Sequence, residues 1–211
     1  MMKKIQEAEA IIFDFDGTLA LTHKVWQMTE DQLYKEYDVK LDMDHYLPLI
    51  QGNTLMDICK EIVTYYKPSV SAQQLFDRKC DIYSKNVKHS TFVPGAKEFL
   101  QKLYAQNAKI AIASANPTKI NRQFFEHHKA TDVVPNVFVS CDDVGIGKPN
   151  PAVFLEAAKQ LNVNIQNCVI FEDSPIGIQA AKAAGAMVVC IGDRGKDIAD
   201  FSIKDFTELV Q

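Results

Sequence analysis

Five short apolar runs recur along the chain, and each is continuous: Ala10–Phe13, Lys109–Ala113, Val137–Val139, Cys168–Phe171 and Met187–Ile191. A strand with one wet face alternates apolar and polar residues, so unbroken runs read as strands buried on both faces. Amphipathic segments lie between them. Residues 96–107 put Phe99, Leu100, Leu103 and Tyr104 on one stripe, and 151–161 do the same with Val153, Phe154, Ala157, Ala158 and Leu161. Strand–helix–strand alternation predicts an α/β fold, a doubly wound parallel sheet of five core strands with helices on both faces. At 211 residues, 47% of them hydrophobic, the chain has enough material for one such core and a small appended module.

Residues 21–89 break this rhythm. Three helical patterns follow one another there without a strand: Val25, Met28, Leu33 and Tyr37; then Leu55, Ile58, Cys59 and Ile62; then Leu75, Phe76, Cys80 and Tyr83. The third opens on a capping-box pattern, Ser71 with Gln74. The expected organisation is an α/β domain made of 1–20 and 90–211, with a small all-helical domain, 21–89, inserted after the first strand. The chain would cross between the two near Thr18–Thr22 and near His89–Pro94.

Composition excludes several classes. The net charge of −4 comes with no basic run, which argues against a nucleic-acid or anionic-membrane surface. No apolar stretch approaches the roughly 20 residues that cross a bilayer, and the basic start, Lys3-Lys4, leads into acids instead of an apolar signal core. The five cysteines form no C-x-x-C pair; Cys141, Cys168 and Cys190 lie in or beside strand-like runs and read as buried free thiols. The expectation is a soluble, reduced, cytoplasmic protein, monomeric by default, with no nucleic-acid or membrane partner.

The chemistry is read at the strand ends, because open parallel sheets bind ligands at their carboxyl edge. The first run is followed by Asp14 and Asp16, and the second by Ser114, Ala115 and Asn116. Gly147-Lys148-Pro149 lies in the loop after the third, and the fourth ends in Glu172-Asp173-Ser174. Buried carboxylates are costly unless paired or metal-bound, so apolar strands ending in acids point to a site. Asn116-Pro117, Asn150-Pro151 and Ser174-Pro175 each join an N-cap residue to proline, and each would open a helix whose free N–H groups face the same rim. Such a rim suits phosphate, while the acids beside it would repel phosphate unless a hard divalent cation, Mg2+, lay between them.

Taken in order, Asp14-x-Asp16-Gly17-Thr18, Ser114, Lys148-Pro149 and Glu172-Asp173 resemble the four motifs of the haloacid dehalogenase superfamily, whose core is Rossmann-like. The inserted helical block resembles the α-helical cap of that superfamily's phosphatases and β-phosphoglucomutases. The resemblance implies that Asp14 is the nucleophile, forming an aspartyl-phosphate, and that Asp16 is the general acid and base. It implies that Lys148 and Ser114 hold the phosphoryl group beside Ala115 and Asn116. Mg2+ would be held by Asp14, the Asp16 carbonyl and Asp173, with Glu172 bound to it directly or standing one shell behind. Gln51, Gly52 and Asn53 occupy the cap loop that faces the site in relatives and are candidates for substrate contact.

Within the resemblance, an aspartate at Asp16 goes with phosphatases and phosphomutases, and not with dehalogenases, phosphonate hydrolases or P-type ATPases. The resembling mutases carry an arginine just after the cap-loop glycine, where this chain reads Gln51-Gly52-Asn53-Thr54. Arginine's bidentate fork is what clamping a second phosphate needs. Hydrolysis of a small phosphorylated metabolite is the expected activity, with a β-phosphoglucomutase-like phosphomutase as the alternative. A catalytically inactive binding protein is the reading from a different class, and the four intact motifs argue against it.

Overall fold

The computed structural model describes residues 1–210. A short helix, α1 (Met2–Gln6), leads into β1 (Ala10–Phe13), and β2 (Ala20–Leu21) follows. Four helices come next, α2 (His23–Glu36), α3 (Met43–Leu49), α4 (Leu55–Tyr66) and α5 (Ala72–Asn86), and then β3 (Thr91–Phe92). The remainder alternates: α6 (Ala96–Ala105), β4 (Lys109–Ser114), α7 (Thr118–His127), β5 (Val137–Ser140), α8 (Cys141–Val144), α9 (Ala152–Gln160), β6 (Cys168–Glu172), α10 (Pro175–Ala184), β7 (Met187–Ile191) and β8 (Phe201–Ile203).

Six of these strands form one parallel sheet in the order β5-β4-β1-β6-β7-β8. The chain extends the sheet from β1 to β4 and β5, then returns to the other side of β1 with β6 and β7. Growth reverses at β1, so the crevice beyond its carboxyl end is the expected ligand position. Side chains alternate across the sheet, and both sets in β1 are apolar. Ile11 and Phe13 join Phe99, Leu100, Phe171 and Phe206 on one face, while Ala10 and Ile12 join Val153, Phe154, Ala157 and Ile178 on the other. This two-sided burial explains the unbroken apolar run. On the first face Phe13 stacks on Phe171, with ring centroids 5.2 Å apart.

Helices α2 to α5 pack around Leu33, Tyr34, Tyr46, Ile58, Ile62, Leu75 and Ile82. The two chain crossings lie side by side, because β2 pairs antiparallel with β3 (Ala20 opposite Phe92, Leu21 opposite Thr91). At the start of α5 Ser71 and Gln74 form the capping box that their spacing predicts. No helix among the described residues is long and apolar enough to cross a membrane, and all five cysteines are free thiols.

The structure extends the expected architecture in two places. The sheet has a sixth strand, β8, whose three residues include exposed Ser202 and leave too short an apolar pattern to register. The helical block has four helices, not three. Helix α3 carries Pro48 and exposes Met43 and Leu47, so it lacks a continuous apolar stripe.

Candidate active site

Asp14 directly follows β1, and its backbone N–H still donates to Phe171 of β6 at 2.9 Å, so the sheet ladder fixes where its carboxylate starts. Lys148, from the loop between α8 and α9, places Nζ 2.6 Å from Asp14 Oδ1 and 2.7 Å from Glu172 Oε2. All three side chains are buried. An ammonium between two carboxylates is the arrangement in which buried charges satisfy one another. Burial lowers the Lys148 pKa, and Asp14 and Glu172 more than reverse this, so Lys148 stays charged.

Glu172 is fully engaged. Its Oε1 accepts from the Asp173 N–H (3.1 Å), the Ser174 N–H (3.0 Å) and the Ser174 hydroxyl (2.9 Å). Glu172 therefore fastens both Lys148 and the loop that carries Asp173. Asp173 turns toward the β1 loop, where Thr18 Oγ1 lies 3.4 Å from its Oδ1, and exposed Arg194 reaches its Oδ2 at 3.4 Å. Gly17 makes this approach possible: its φ is +81°, and a Cβ there would lie 2.6 Å from Asp173 Oδ2.

Carboxylate oxygens of Asp14, Glu172 and Asp173 lie within 4.8 Å of one another. Burial, and then the charge of Glu172, pushes the Asp14 carboxyl well up and that of Asp173 up to about 7. The site is thus short of positive charge. Three converging hard oxygen donors on the β1–β6 edge fit a divalent cation of the Mg2+ type.

Asp16 stands apart from this cluster. Thr22 Oγ1 and Trp26 Nε1 (3.0 Å) donate to its Oδ1, and Asn116 Nδ2 donates to its Oδ2. Burial raises its pKa against these three donors. Two carboxyls two residues apart therefore have unlike surroundings, Asp14 facing an ammonium and Asp16 facing neutral donors.

Ser114 ends β4, the strand beside β1, and is fully buried; its Oγ accepts the Asn116 N–H at 3.1 Å. Ala115, between them, is partly buried. The structure thus gathers Asp14, Lys148, Glu172 and Asp173 around one point and joins Asp16 to Asn116. The cap loop meets the core differently from its neighbours in sequence. The Gly52–Asn53 backbone lies against Gly147 and the Lys148 carbonyl. The Gln51 and Asn53 side chains are exposed, and Asn53 Nδ2 turns back to the Leu49 carbonyl at 2.7 Å.

The helix starts correct two of the three cap expectations. Ser174 caps α10, accepting the Gly177 N–H at 3.1 Å with Pro175 at the first helical position, and Asn150 Oδ1 accepts the Ala152 N–H at 3.0 Å. Neither asparagine is the N-cap its proline suggests: α7 begins at Thr118 and α9 at Ala152, each with its proline in the cap position, and the Asn116 amide goes to Asp16 instead. Sequence reasoning also missed Thr22 and Trp26. Trp26 sits at helical spacing beside Val25, which is the pattern of a packing residue, and nothing in that spacing marks its N–H.

The family model described as haloacid dehalogenase-like hydrolase matches residues 11–191. A phosphorylated carbohydrates phosphatase of Thermotoga maritima is 29% identical over 186 residues, covering 84% of this chain and 82% of that protein. The bifunctional riboflavin kinase/FMN phosphatase of Arabidopsis thaliana is 27% identical over 190 residues, which are 90% of this chain and 49% of that protein; the chain spans about half of that relative. The solved structure of β-phosphoglucomutase from Clostridium difficile has the same fold, with a TM-score of 0.80 at 24% identity over 96% of this chain and 93% of that one.

Proposed function

Because this chain belongs to the haloacid dehalogenase-like hydrolases, we propose that it is a Mg2+-dependent phosphatase of small phosphorylated metabolites, working through an aspartyl-phosphate on Asp14. The observation that carries this reading is the buried contact of Lys148 with Asp14 and Glu172, with Asp173 alongside. Four carboxylates, counting Asp16, face one lysine. A divalent cation and a proton on Asp16 would bring the site to neutrality before a phosphate dianion enters.

Lys148 holds one oxygen of Asp14 and aims the other at phosphorus. Asp14 attacks, its Oδ–P bond forms, and the bond from phosphorus to the ester oxygen breaks. Asp16 gives its proton to that departing oxygen, then takes a proton from the water that releases phosphate from Asp14. Ser114 donates to the phosphoryl oxygens, with the Ala115 and Asn116 backbone beside it, and Lys148 neutralises part of their charge. Mg2+ would be held by the Asp14 carboxylate, the Asp16 carbonyl and Asp173, and supplies charge neutralisation at the phosphoryl group when bound. Glu172, engaged by four donors, serves as the support of Lys148 and of the Asp173 loop.

Hydrolysis is favoured over phosphoryl isomerisation by the cap loop Gln51-Gly52-Asn53-Thr54, which carries no arginine. The segment from Leu21 to His89 contains one arginine, Arg78, and its guanidinium forks onto Glu36 at 2.8–3.1 Å. The phosphorylated carbohydrates phosphatase of Thermotoga maritima points to sugar phosphates as the first substrates to try. The test is a panel of small phosphomonoesters assayed with Mg2+ and with a chelator. Mg2+-dependent release of inorganic phosphate supports the reading, whereas an isomerised sugar phosphate without phosphate release would establish a mutase.

A further inference from the structure

We propose that the Tyr83 hydroxyl is a substrate contact: it donates a hydrogen bond to a hydroxyl oxygen on the leaving group, which selects phosphate esters of polyols and sugars over those of plain alkyl alcohols. The proposal rests on the phosphatase reading above and names the class of ester that the same site takes. Tyr83 lies on α5, the last helix of the cap, and is fully buried. Its hydroxyl is enclosed as well, yet no donor or acceptor among the described residues meets it. A buried hydroxyl left unpaired carries a desolvation cost. A phenylalanine would fill the same space without that cost.

The surroundings of Tyr83 point to its partner. Leu75 and Ile82 of the same helix belong to the cap's own apolar cluster, whereas Tyr83 joins the core cluster that holds Phe15, Val25 and Val87. Its ring packs on that of Trp26, with centroids 4.5 Å apart, and the Trp26 N–H reaches Asp16. Among the described residues, Asp16 is the charged group that bears on the phenol. Burial, and then that charge, pushes the Tyr83 pKa well up, so the hydroxyl keeps its proton and can donate it. Asp16 does not itself accept from Tyr83, because Thr22 and Trp26 hold its Oδ1 and Asn116 holds its Oδ2. The phenol thus stands near the general acid with its hydrogen-bonding capacity unused.

The leaving group comes to this place. Asp16 must reach the ester oxygen to protonate it, so the first atoms of the leaving group lie against Asp16. A hydroxyl carried a carbon or two beyond that oxygen is the group this phenol is placed to meet. Helix α5 is held on the core at the very next residue, where Ser84 hydrogen-bonds Gln123 of α7 at 2.6 Å, so the phenol is fixed relative to Asp16. A site with a buried donor discriminates against an analogue that lacks the matching acceptor, because the donor then stays unpaired.

The test pairs 2-hydroxyethyl phosphate with propyl phosphate, in which a methyl group replaces the hydroxyl, on the parent protein and on Tyr83→Phe, with Mg2+ present. In the parent, kcat/KM is expected to favour the hydroxylated ester about tenfold or more. In Tyr83→Phe the ratio is expected to fall to within about twofold of unity, through loss on the hydroxylated ester. The melting temperature of Tyr83→Phe should equal or exceed that of the parent, because no hydrogen bond within the protein is lost. Three results would overturn the proposal: no preference in the parent, the same preference in Tyr83→Phe, or a lowered melting temperature with equal losses on both esters, as a hydroxyl that only supports the fold would give. Turnover of p-nitrophenyl phosphate separates the two readings. Mg2+-dependent turnover of that ester without turnover of 2-hydroxyethyl phosphate overturns the role of Tyr83 alone. No Mg2+-dependent turnover of any of the three esters overturns the phosphatase reading as well.

Discussion

Gly147 meets Gly52 backbone to backbone: a Cβ on Gly147 would lie 2.0 Å from the Gly52 carbonyl oxygen. Gly52 comes from the cap and Gly147 precedes Lys148, so the loop that carries Lys148 is also the surface on which the cap lands. A side chain at either position is incompatible with the seated cap.

Gly147→Ala should therefore act on closure more than on folding. Overpacking of this kind costs about 1–3 kcal/mol, here borne by the closed form, so kcat/KM should fall about ten- to hundredfold. The melting temperature should stay near that of the unaltered protein. Steady-state kinetics beside a thermal melt checks this; unchanged kcat/KM would mean that turnover does not need the seated cap.

Lys148→Ala should remove activity and stability together. It leaves the buried carboxylates of Asp14 and Glu172 without their shared cation. Breaking a buried pair from one side costs about 3–5 kcal/mol, so a large drop in the denaturant midpoint is expected. Added Mg2+ should restore part of it by supplying the missing positive charge. A variant as stable as the parent would contradict the ionic account of the site.

Mg2+ itself should raise the melting temperature, since three clustered acids gain a counterion in the folded chain alone. At a hundredfold excess over Kd the stabilisation is about 2.7 kcal/mol. The effect should be larger at pH 8 than at pH 6. The Asp173 carboxyl is pushed up to about 7 by burial and then by Glu172. Below that value it holds a proton which a cation must displace, so binding weakens as the pH falls. Asp173→Asn should abolish most of the shift, and a shift of equal size in that variant would remove Asp173 from the metal site.

Much of the fold was legible because the core strands are apolar on both faces. Ile12 and Phe13 point to opposite sides of the sheet and both need burial, which leaves an unmistakable run. The site was legible for a related reason, since Asp14, Ser114 and Glu172 each mark the carboxyl end of a strand. What stayed hidden depends on tertiary neighbours. β8 is a strand because β7 pairs with it, through Val189, Cys190 and Ile191, and its own three residues do not announce it. Asn116 reads as a helix cap because Pro117 follows it, yet its amide meets Asp16, a partner 100 residues away. Trp26 is the sharpest example. Its ring is packing and its N–H is a donor, and a sequence shows only the ring.

The central claim is that phosphorus becomes bonded to Asp14, and an acid quench of the enzyme during turnover of a 32P-labelled substrate tests it most directly. The account predicts one labelled peptide, the one containing Asp14, with the lability of an acyl phosphate, and no label in Asp14→Asn. Mg2+-dependent phosphate release at an undiminished rate by Asp14→Asn, or label recovered on any other residue, would contradict it.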